Sequence, residues 1–255
     1  MKPLLSVVFA MLFSVSAWAG GSAVLESSGG SETVTLEYEG QRIRLSASQQ
    51  ERQGEYMLID GTSAYAVSHE NGQPRVLDMA VMGQMFGAMA GAVGQLPTQL
   101  DHIPGTIEHL KPLQHDETVA GIVGQGYELL YTDNKGQQHT IEVVLSTEPQ
   151  VVELAGAMLQ VSQTLATVFG QPTAPLERFN RLLLGEGRGL LRVGDDMRVL
   201  SLNGVAPSAD RFVLPATPSA LPDFGVLLDQ AAKKAPEVVE ALDDMFKALE
   251  ELQKR

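Results

Sequence analysis

Alternation of apolar and polar residues dominates the first half of the chain and predicts an antiparallel sheet. Residues 33–39 alternate with a period of two, and residues 42–46 do the same after a turn at Gly40. Such alternation predicts strands with one buried face and one wet face. Two charged pairs should then lie opposite each other across the turn, with Arg42 and Arg44 facing the glutamates of the first strand. A binding role for the two arginines is the alternative.

The clearest hairpin signal lies in residues 54–79. Two runs that favour strands, Glu55–Ile59 and Thr62–Ser68, are joined by Asp60-Gly61. Asp-Gly between such runs predicts a two-residue type I′ turn, because both central positions of that turn need a positive φ. A second turn is predicted at Glu70-Asn71-Gly72. This part of the chain is therefore interpreted as the middle of an antiparallel meander.

Residues 78–96 change to a helical period. Asp78 is followed by no charged residue until Asp101, and one helical stripe consists of Met79, Met82, Phe86, Met89, Val93 and Leu96. A glycine stripe at intervals of four (Gly83, Gly87, Gly91) needs either close packing or a loose helix, because each glycine costs about 0.5–1 kcal/mol relative to alanine. Methionine suits a core and a ligand-facing surface equally. The sequence leaves both open and names Met79, Met82, Phe86 and Met89 as candidate ligand-binding residues.

The second half repeats the pattern of strands and helices. Apolar alternation, turn residues and helix-start signals predict a strand at 106–113, a strand pair at 119–132 and 139–147, helices at 148–169 and 176–184, a hairpin at 190–202 and a last strand at 211–214. Gly185, Gly187 and Gly189 lack the Gly-Lys-Ser/Thr ending of a phosphate loop, so a flexible connection is predicted there.

The two ends of the chain have patterns of their own. Residues 1–19 carry an apolar run and an A-x-A cleavage site, which predicts a signal peptide cut after Ala19 and no stable membrane span afterwards. Residues 20–31 are rich in Gly and Ser and predict a flexible lead-in to a domain at 32–214. A Pro-rich linker (215–222) and an amphipathic helix (223–255) follow. The apolar positions of that helix supply candidate partner-binding residues: Val238, Leu242, Met245 and Leu249.

Composition and charge narrow the functional classes. The formal net charge is −13 at pH 7, and removal of Lys2 with the signal peptide makes it −14. Such a charge disfavours nucleic acid and anionic lipid head groups as partners. The chain has no cysteine, so an exported form must be held by its hydrophobic core alone. A bacterial periplasm is the predicted location.

No constellation of residues predicts catalysis. The five histidines do not have metal-ligand spacing, and no serine lies in a G-x-S-x-G turn. Asp195-Asp196 and Asp243-Asp244 are interpreted as a turn and a helix surface. The sequence therefore predicts no enzyme, no cofactor and no metal.

The order of the elements resembles a known group of proteins. A signal peptide, a meander with the hairpin "IDG…AYAV", a helix, and the strands "VAGIVGQGYELLYTD" and "HTIEVVLSTEPQVVEL" resemble uncharacterised bacterial periplasmic proteins that are grouped with the lipoprotein carriers LolA and LolB. The resemblance covers about residues 33–214. It implies an α+β fold in which a strongly curved, unclosed antiparallel sheet wraps helices around an apolar cavity. Arg42 and Arg44 are the nearest candidates for the functional arginine of those carriers.

Two functions follow as hypotheses. The leading one is a non-enzymatic periplasmic protein that binds a lipid or acyl chain in the hollow of the sheet, driven by about 0.8 kcal/mol per buried methylene. The alternative is an interaction module of the envelope, with a filled core and the 223–255 helix docked on a partner. The two hypotheses differ in whether the helix at 79–96 plugs the sheet or covers a space inside it.

Overall fold

The computed structural model describes residues 20–27, 32–81, 83, 104–133 and 136–218. In that part of the chain the strands are β1 Gly20–Ser27, β2 Glu32–Glu39, β3 Arg42–Ala47, β4 Tyr56–Asp60, β5 Ser63–Glu70, β6 Gln73–Asp78, β7 Pro104–Val119, β8 Ile122–Asp133, β9 Gln138–Ser146, β10 Gly189–Val193 and β11 Met197–Asn203. The helices are α1 Ser48–Arg52, α2 Pro149–Val168 and α3 Ala174–Leu183, with short 3-10 helices at Leu184–Glu186 and Ala209–Phe212. Residues 79–81 and 83 are also helical.

All eleven strands belong to one curved antiparallel sheet in the order β6-β5-β4-β3-β2-β1-β11-β10-β9-β8-β7. Neighbouring strands also follow one another in sequence, except where β1 pairs with β11. The first and last strands thus meet in the middle of the sheet. Its two edges, β6 and β7, are consecutive in sequence, and in the described residues they do not pair. The sheet is therefore unclosed, and the segment after Asp78 leads from one edge to the other.

Two helices cover opposite faces of the sheet. Helix α2 packs on the inner, concave face, where it shares one hydrophobic cluster with residues from nine strands. Helix α3 packs near β7, and its Leu183 belongs to a second cluster with Tyr127, Leu129, Val143 and Leu145. This second cluster is the alternating apolar face that the sequence of β8 and β9 predicts. The neighbouring Val144 points the other way and joins the first cluster.

Several predicted elements are confirmed. The predicted helix at 148–169 is α2, with Pro149 at its first turn, and the helix at 176–184 corresponds to α3. The turn at Asn71-Gly72 has positive φ at both residues, as a type I′ turn requires. One large antiparallel sheet with a few helices is the architecture that the fold-class prediction describes at its coarsest level.

Two predictions about local structure are wrong. Residues 20–27 do not form a flexible lead-in, because they are strand β1 and pair with β2 and β11. The first two residues of β1 are glycines, and Tyr38 and Ala206 leave no room there for a Cβ. The predicted strand at 211–214 is instead the end of the 3-10 helix Ala209–Phe212. The strand predicted at 106–113 is confirmed but is longer, because β7 runs from Pro104 to Val119 and turns at Ala120-Gly121.

The hairpin between β4 and β5 also differs in detail. Asp60 pairs with Ser63, so the two turn residues are Gly61 and Thr62 and not Asp60-Gly61. Gly61 has a φ of +59°, whereas Thr62 does not have a positive φ. Positive φ at the first turn position alone is the pattern of a type II′ turn. Gly61 is therefore part of the turn, as the sequence predicts, but the turn lies one residue further along the chain than predicted.

Candidate functional site

The concave face of the sheet is occupied by α2. Val151 and Leu154 are 0% exposed, and Ala157 and Val161 continue the same helical face. Their cluster includes Leu36 and Ile43 from the first hairpin and Leu191 and Val199 from the last one, on both sides of the β1–β11 pairing. Side chains of the protein itself therefore pack together across the hollow.

The helical residues that follow β6 enter the same cluster. Met79, the first of the four candidate ligand-binding residues, is only 6% exposed and belongs to the core around α2. Gly83 lies directly against the end of α2: a Cβ at this position would be 1.8 Å from the carbonyl oxygen of Val168. The first glycine of the predicted stripe thus has a close-packing reason, which the spacing of the glycines already suggested.

The other candidate residues lie outside the described residues. This holds for Met82, Phe86 and Met89 of the predicted ligand-binding set. It holds equally for the partner-binding set, Val238, Leu242, Met245 and Leu249, as well as for the signal peptide and the predicted C-terminal helix. Of the Pro-rich linker, residues 215–218 are described and contain neither helix nor strand.

Arg42 and Arg44 form the cross-strand charge pairs that the sequence predicts. Arg44 donates to Glu37 at 2.9 Å, and Arg42 pairs with Glu39. The Arg44–Glu37 pair is nearly buried, with side chains 8% and 12% exposed, whereas the Arg42–Glu39 side chains are 37% and 34% exposed. The arginines point away from the core face of Leu36 and Ile43, so neither reaches the hollow.

Glu37 has a second partner that sequence reasoning missed. Arg211, in the 3-10 helix that follows the sheet, donates from Nε to Glu37 at 2.9 Å. Phe212 is buried and stacks under the guanidinium of Arg42, and Arg44 lies 4.1 Å from the ring centre of Tyr56. These contacts hold the segment after β11 on the outer face of β2 and β3. We call Glu37, Arg44, Arg211 and Phe212 the outer clamp.

The electrostatics of the outer clamp follow from these contacts. Burial alone would raise the pKa of Glu37, but hydrogen bonds from Arg211 and Arg44 outweigh burial and hold that pKa below its ordinary value. The hydrogen bond to Glu37 in turn raises the pKa of Arg211. The carboxylate therefore stays charged over the whole neutral range and contributes a fixed negative charge between two cations.

A second charged cluster lies at the other end of the sheet. Arg192 on β10 donates to Glu117 at 3.0 Å and also pairs with Glu142, while Arg198 approaches Glu117 at 3.4 Å. His115 lies 3.5 Å from Glu142. Because four strands contribute to these contacts, the cluster ties the edge strand β7 to β9, β10 and β11. Its charges are matched in pairs, which is typical of a structural network.

Three of the described histidines, His109, His115 and His139, lie beside single carboxylates. His139 lies 2.8 Å from the carboxylate of Asp133 and stacks on Tyr131. Asp133 also accepts from the backbone N–H of Gln137, which ties the end of β8 to the residue before β9. No group of three or more metal-binding side chains is found among the described residues.

Two clefts open on the surface of the described part. One, of about 420 Å³, lies between β7, β8 and the end of α3, and its walls include Leu110, Pro112, Tyr127 and Arg188. Arg188 lies over the Tyr127 ring and pairs with Glu186. The other, of about 430 Å³, lies between α2, the start of α3 and two hairpin turns, and most of its wall residues have an amide or hydroxyl side chain whose carbon atoms also line the cleft. Both clefts lie within the usual size range of small-molecule sites, about 300–1,000 Å³.

Helix α2 is long and apolar enough to cross a membrane by length and composition alone. The buried core helix of a globular domain has the same properties. In this fold the inner face of α2 packs on the sheet, which accounts for its apolar character.

Comparison with known proteins adds no relationship to this picture. The chain matches no protein-family model, and no curated protein matches it at a significant level. Function must therefore be inferred from the filled hollow, the clamped segment and the clefts.

Proposed function

We propose that this protein is a non-enzymatic module of the bacterial envelope whose folded domain is a filled scaffold and whose C-terminal segment docks a protein partner. The observation that carries the proposal is the packing of α2 and Met79 into one cluster with nine strands. Because its hollow is occupied by α2 and Met79, the sheet serves as a support for other parts of the protein and not as a container for a ligand. Of the features that the resemblance to LolA and LolB implies, the proposal uses the curved sheet and not the apolar cavity.

Two further observations support export and docking. The described part of β1 begins at Gly20, so cleavage after Ala19 would keep all of its described pairs with β2 and β11. The outer clamp fixes residues 211 and 212 on the outer face of the sheet. The chain that leads to the apolar heptad positions of 235–252 is therefore held on the sheet at residues 211 and 212.

The test uses the full mature chain with paired substitutions in the C-terminal segment. Leu242→Asp with Leu249→Asp changes two apolar heptad positions, and Ala241→Asp with Ala248→Asp makes the same charge change beside them. We expect the leucine pair to abolish crosslinking to an envelope protein, or self-association measured by light scattering, and the alanine pair to retain it. Equal behaviour of the two pairs, or no association in the wild type, would contradict docking by this segment.

A second candidate function is binding of a lipid or acyl chain, and a specific observation favours it. The segment that joins the two edges of the unclosed sheet carries no charged residue from Met79 to Leu100. Met79 and Gly83, at the start of this segment, pack against the core around α2, so moving them away would expose apolar core without breaking a strand pair. Each acyl methylene that entered would contribute about 0.8 kcal/mol.

Native purification distinguishes the two candidates. The mature protein is purified without detergent, extracted with organic solvent and examined by mass spectrometry, and a fluorescent fatty acid is titrated into the extracted protein. The filled-scaffold proposal expects no stoichiometric lipid and no saturable uptake. One lipid per chain, or saturable uptake that Met79→Asp removes, would favour the carrier and contradict the scaffold.

A further inference from the structure

The cleft between α2 and the two hairpin turns has a chemistry that differs from the rest of α2. Polar side chains occupy positions 160, 163, 164 and 167, which form one stripe at helical spacing along the second half of the helix. The opposite walls are Gln41 and Thr62 from the turns and Thr173 and Glu177 from α3. These walls enclose about 430 Å³.

Several of these groups are held in place before any ligand arrives. The side-chain amide of Gln160 donates to the carbonyl oxygens of Gln41 at 2.8 Å and Gly61 at 3.3 Å, which fixes its own carbonyl oxygen as an acceptor. The hydroxyl of Thr167 donates to the backbone of Gln163 at 2.9 Å and keeps its lone pairs. Fixed polar groups lower the entropic cost of binding a hydrogen-bonding ligand.

Thr164 supplies the observation that points to a ligand. Its side chain lines the cleft although the residue is only 6% exposed, and its hydroxyl makes no hydrogen bond to any described residue. By contrast, Ser162 and Thr167 on the same helix both donate to the carbonyl four residues earlier. The Thr164 oxygen keeps contact with solvent in the cleft, so it is free to donate to or accept from a polar group of a bound ligand.

The composition of the walls selects the class of ligand. Amides and hydroxyls both donate and accept, and Glu177 is the one charged group among the described walls. With this carboxylate and a net charge of −13, the cleft repels anions. An acyl chain would strip water from the amides without replacing their hydrogen bonds. We propose that this cleft binds a neutral saccharide, whose hydroxyls match both kinds of group.

The test is a titration of the full mature protein with two neutral probes, maltotriose and tri-N-acetylchitotriose, followed by NMR of the backbone amides. We expect at least one sugar to cause saturable shifts at residues 61–62 and 160–167. A range up to about 10 mM detects dissociation constants in the millimolar range. Absence of saturable shifts with both sugars would overturn the proposal.

Three variants make the test specific. Thr164→Val removes the free hydroxyl and should weaken binding by about three- to tenfold, the usual effect of one neutral hydrogen bond. Ser162→Ala removes a hydroxyl that is bonded within the helix and should leave the affinity unchanged. Thr167→Trp should fill the cleft and abolish binding. Thermal melting checks that each variant is folded, and a folded Thr164→Val or Thr167→Trp protein with wild-type affinity would overturn the proposal.

Discussion

The two faces of the first hairpin are both covered, but by different chemistry. On the inner face, Leu36 and Ile43 pack against α2 in a purely apolar cluster. On the outer face of the same strands, Glu37 and Arg44 are almost as well shielded from solvent, under Arg211 and Phe212. A strand with alternating apolar and charged residues can therefore be buried on both sides, provided that every charge finds a partner.

The difference between the faces lies in what a substitution would leave behind. Removing an apolar side chain from the inner face leaves a cavity, and its cost depends on how far the neighbours can relax. Removal of the Glu37 charge from the outer clamp leaves the buried Arg44 with only the more distant Glu51 as a counter-charge. The stability of the inner face therefore depends on how well its side chains fill space, whereas the stability of the outer clamp depends on each charge keeping its partner. Five predictions test this comparison.

Leu154→Ala should have the largest effect. Leu154 is fully buried in the cluster around α2, and truncation of such a leucine costs about 3–5 kcal/mol of the free energy of unfolding. Leu200→Ala is the control, because this leucine is 42% exposed and its loss should cost less than about 0.5 kcal/mol. Urea denaturation of both variants gives the comparison. Similar midpoints would mean that α2 is not part of the core.

Glu37→Gln should rank next. The change leaves the buried Arg44 with only the half-exposed Glu51, 3.8 Å away, as a counter-charge, at a cost of about 3 kcal/mol. Glu39→Gln breaks the neighbouring half-exposed pair and should cost less than about 1 kcal/mol. Equal costs for the two variants would show that the segment after β11 does not bury the clamp.

The pH dependence of stability gives the same clamp a second readout. Because the folded pKa of Glu37 is below its ordinary value of 4.5, the unfolded chain binds the proton more readily. The contribution of Glu37 is therefore present above about pH 4.5 and is lost as the pH falls through the folded pKa. Glu37→Gln should reduce this acid-side slope in urea titrations, and an unchanged slope would contradict the assignment.

Two glycines test the packing around α2, because replacement by alanine should lower the free energy of unfolding at one of them and raise it at the other. A Cβ on Gly189 would lie 2.2 Å from the carbonyl oxygen of Val151, so Gly189→Ala should cost about 1–3 kcal/mol. Gly156, inside α2, has nothing within 4 Å of that position, and Gly156→Ala should stabilise by up to about 1 kcal/mol through helix propensity. Thermal melting of the two variants should shift in opposite directions; a shared sign would refute the close approach at Gly189.

Tyr38→Phe should have the smallest effect at neutral pH. The Tyr38 hydroxyl is buried without a hydrogen-bond partner among the described residues, so its loss should change stability by less than about 1 kcal/mol. Burial, with a contribution from Glu153, raises the pKa of Tyr38 to about 12 from 10. The native state thus keeps the proton longer, and stability falls between pH 10 and 12. The variant should lose less stability over that range, as measured by circular dichroism.

Local patterns in the sequence predict much of this fold. The Pro149 start of α2, the Asn71-Gly72 turn and the charge pairs of Arg42 and Arg44 all depend on neighbours in sequence or across one turn. Such contacts are readable because their geometry is fixed by a period of two or 3.6 residues. The core position of Met79 agrees with one of the two roles left open for the methionine stripe.

Contacts between distant segments could not be predicted. The Gly/Ser content of 20–27 suggests flexibility, yet these residues pair with β2 and β11, and nothing local indicates a partner near residue 200. Arg211 meets Glu37 from the other end of the chain. The polar stripe of α2 becomes a cleft only because two hairpin turns and α3 close around it. Each of these contacts depends on how the strands and helices are arranged in the fold. The spacing of apolar residues along the chain contains no information about that arrangement.

Native-state hydrogen exchange of the full mature protein tests the filled hollow most directly. If α2 is a fixed part of the core, the amides around Leu154 and Val161 should exchange with the same opening free energy as those of β2 and β3, at the level of global unfolding. Opening of α2 at a free energy lower by about 2 kcal/mol or more, while β2 and β3 stay protected, would contradict the account and make α2 a movable cover of the hollow.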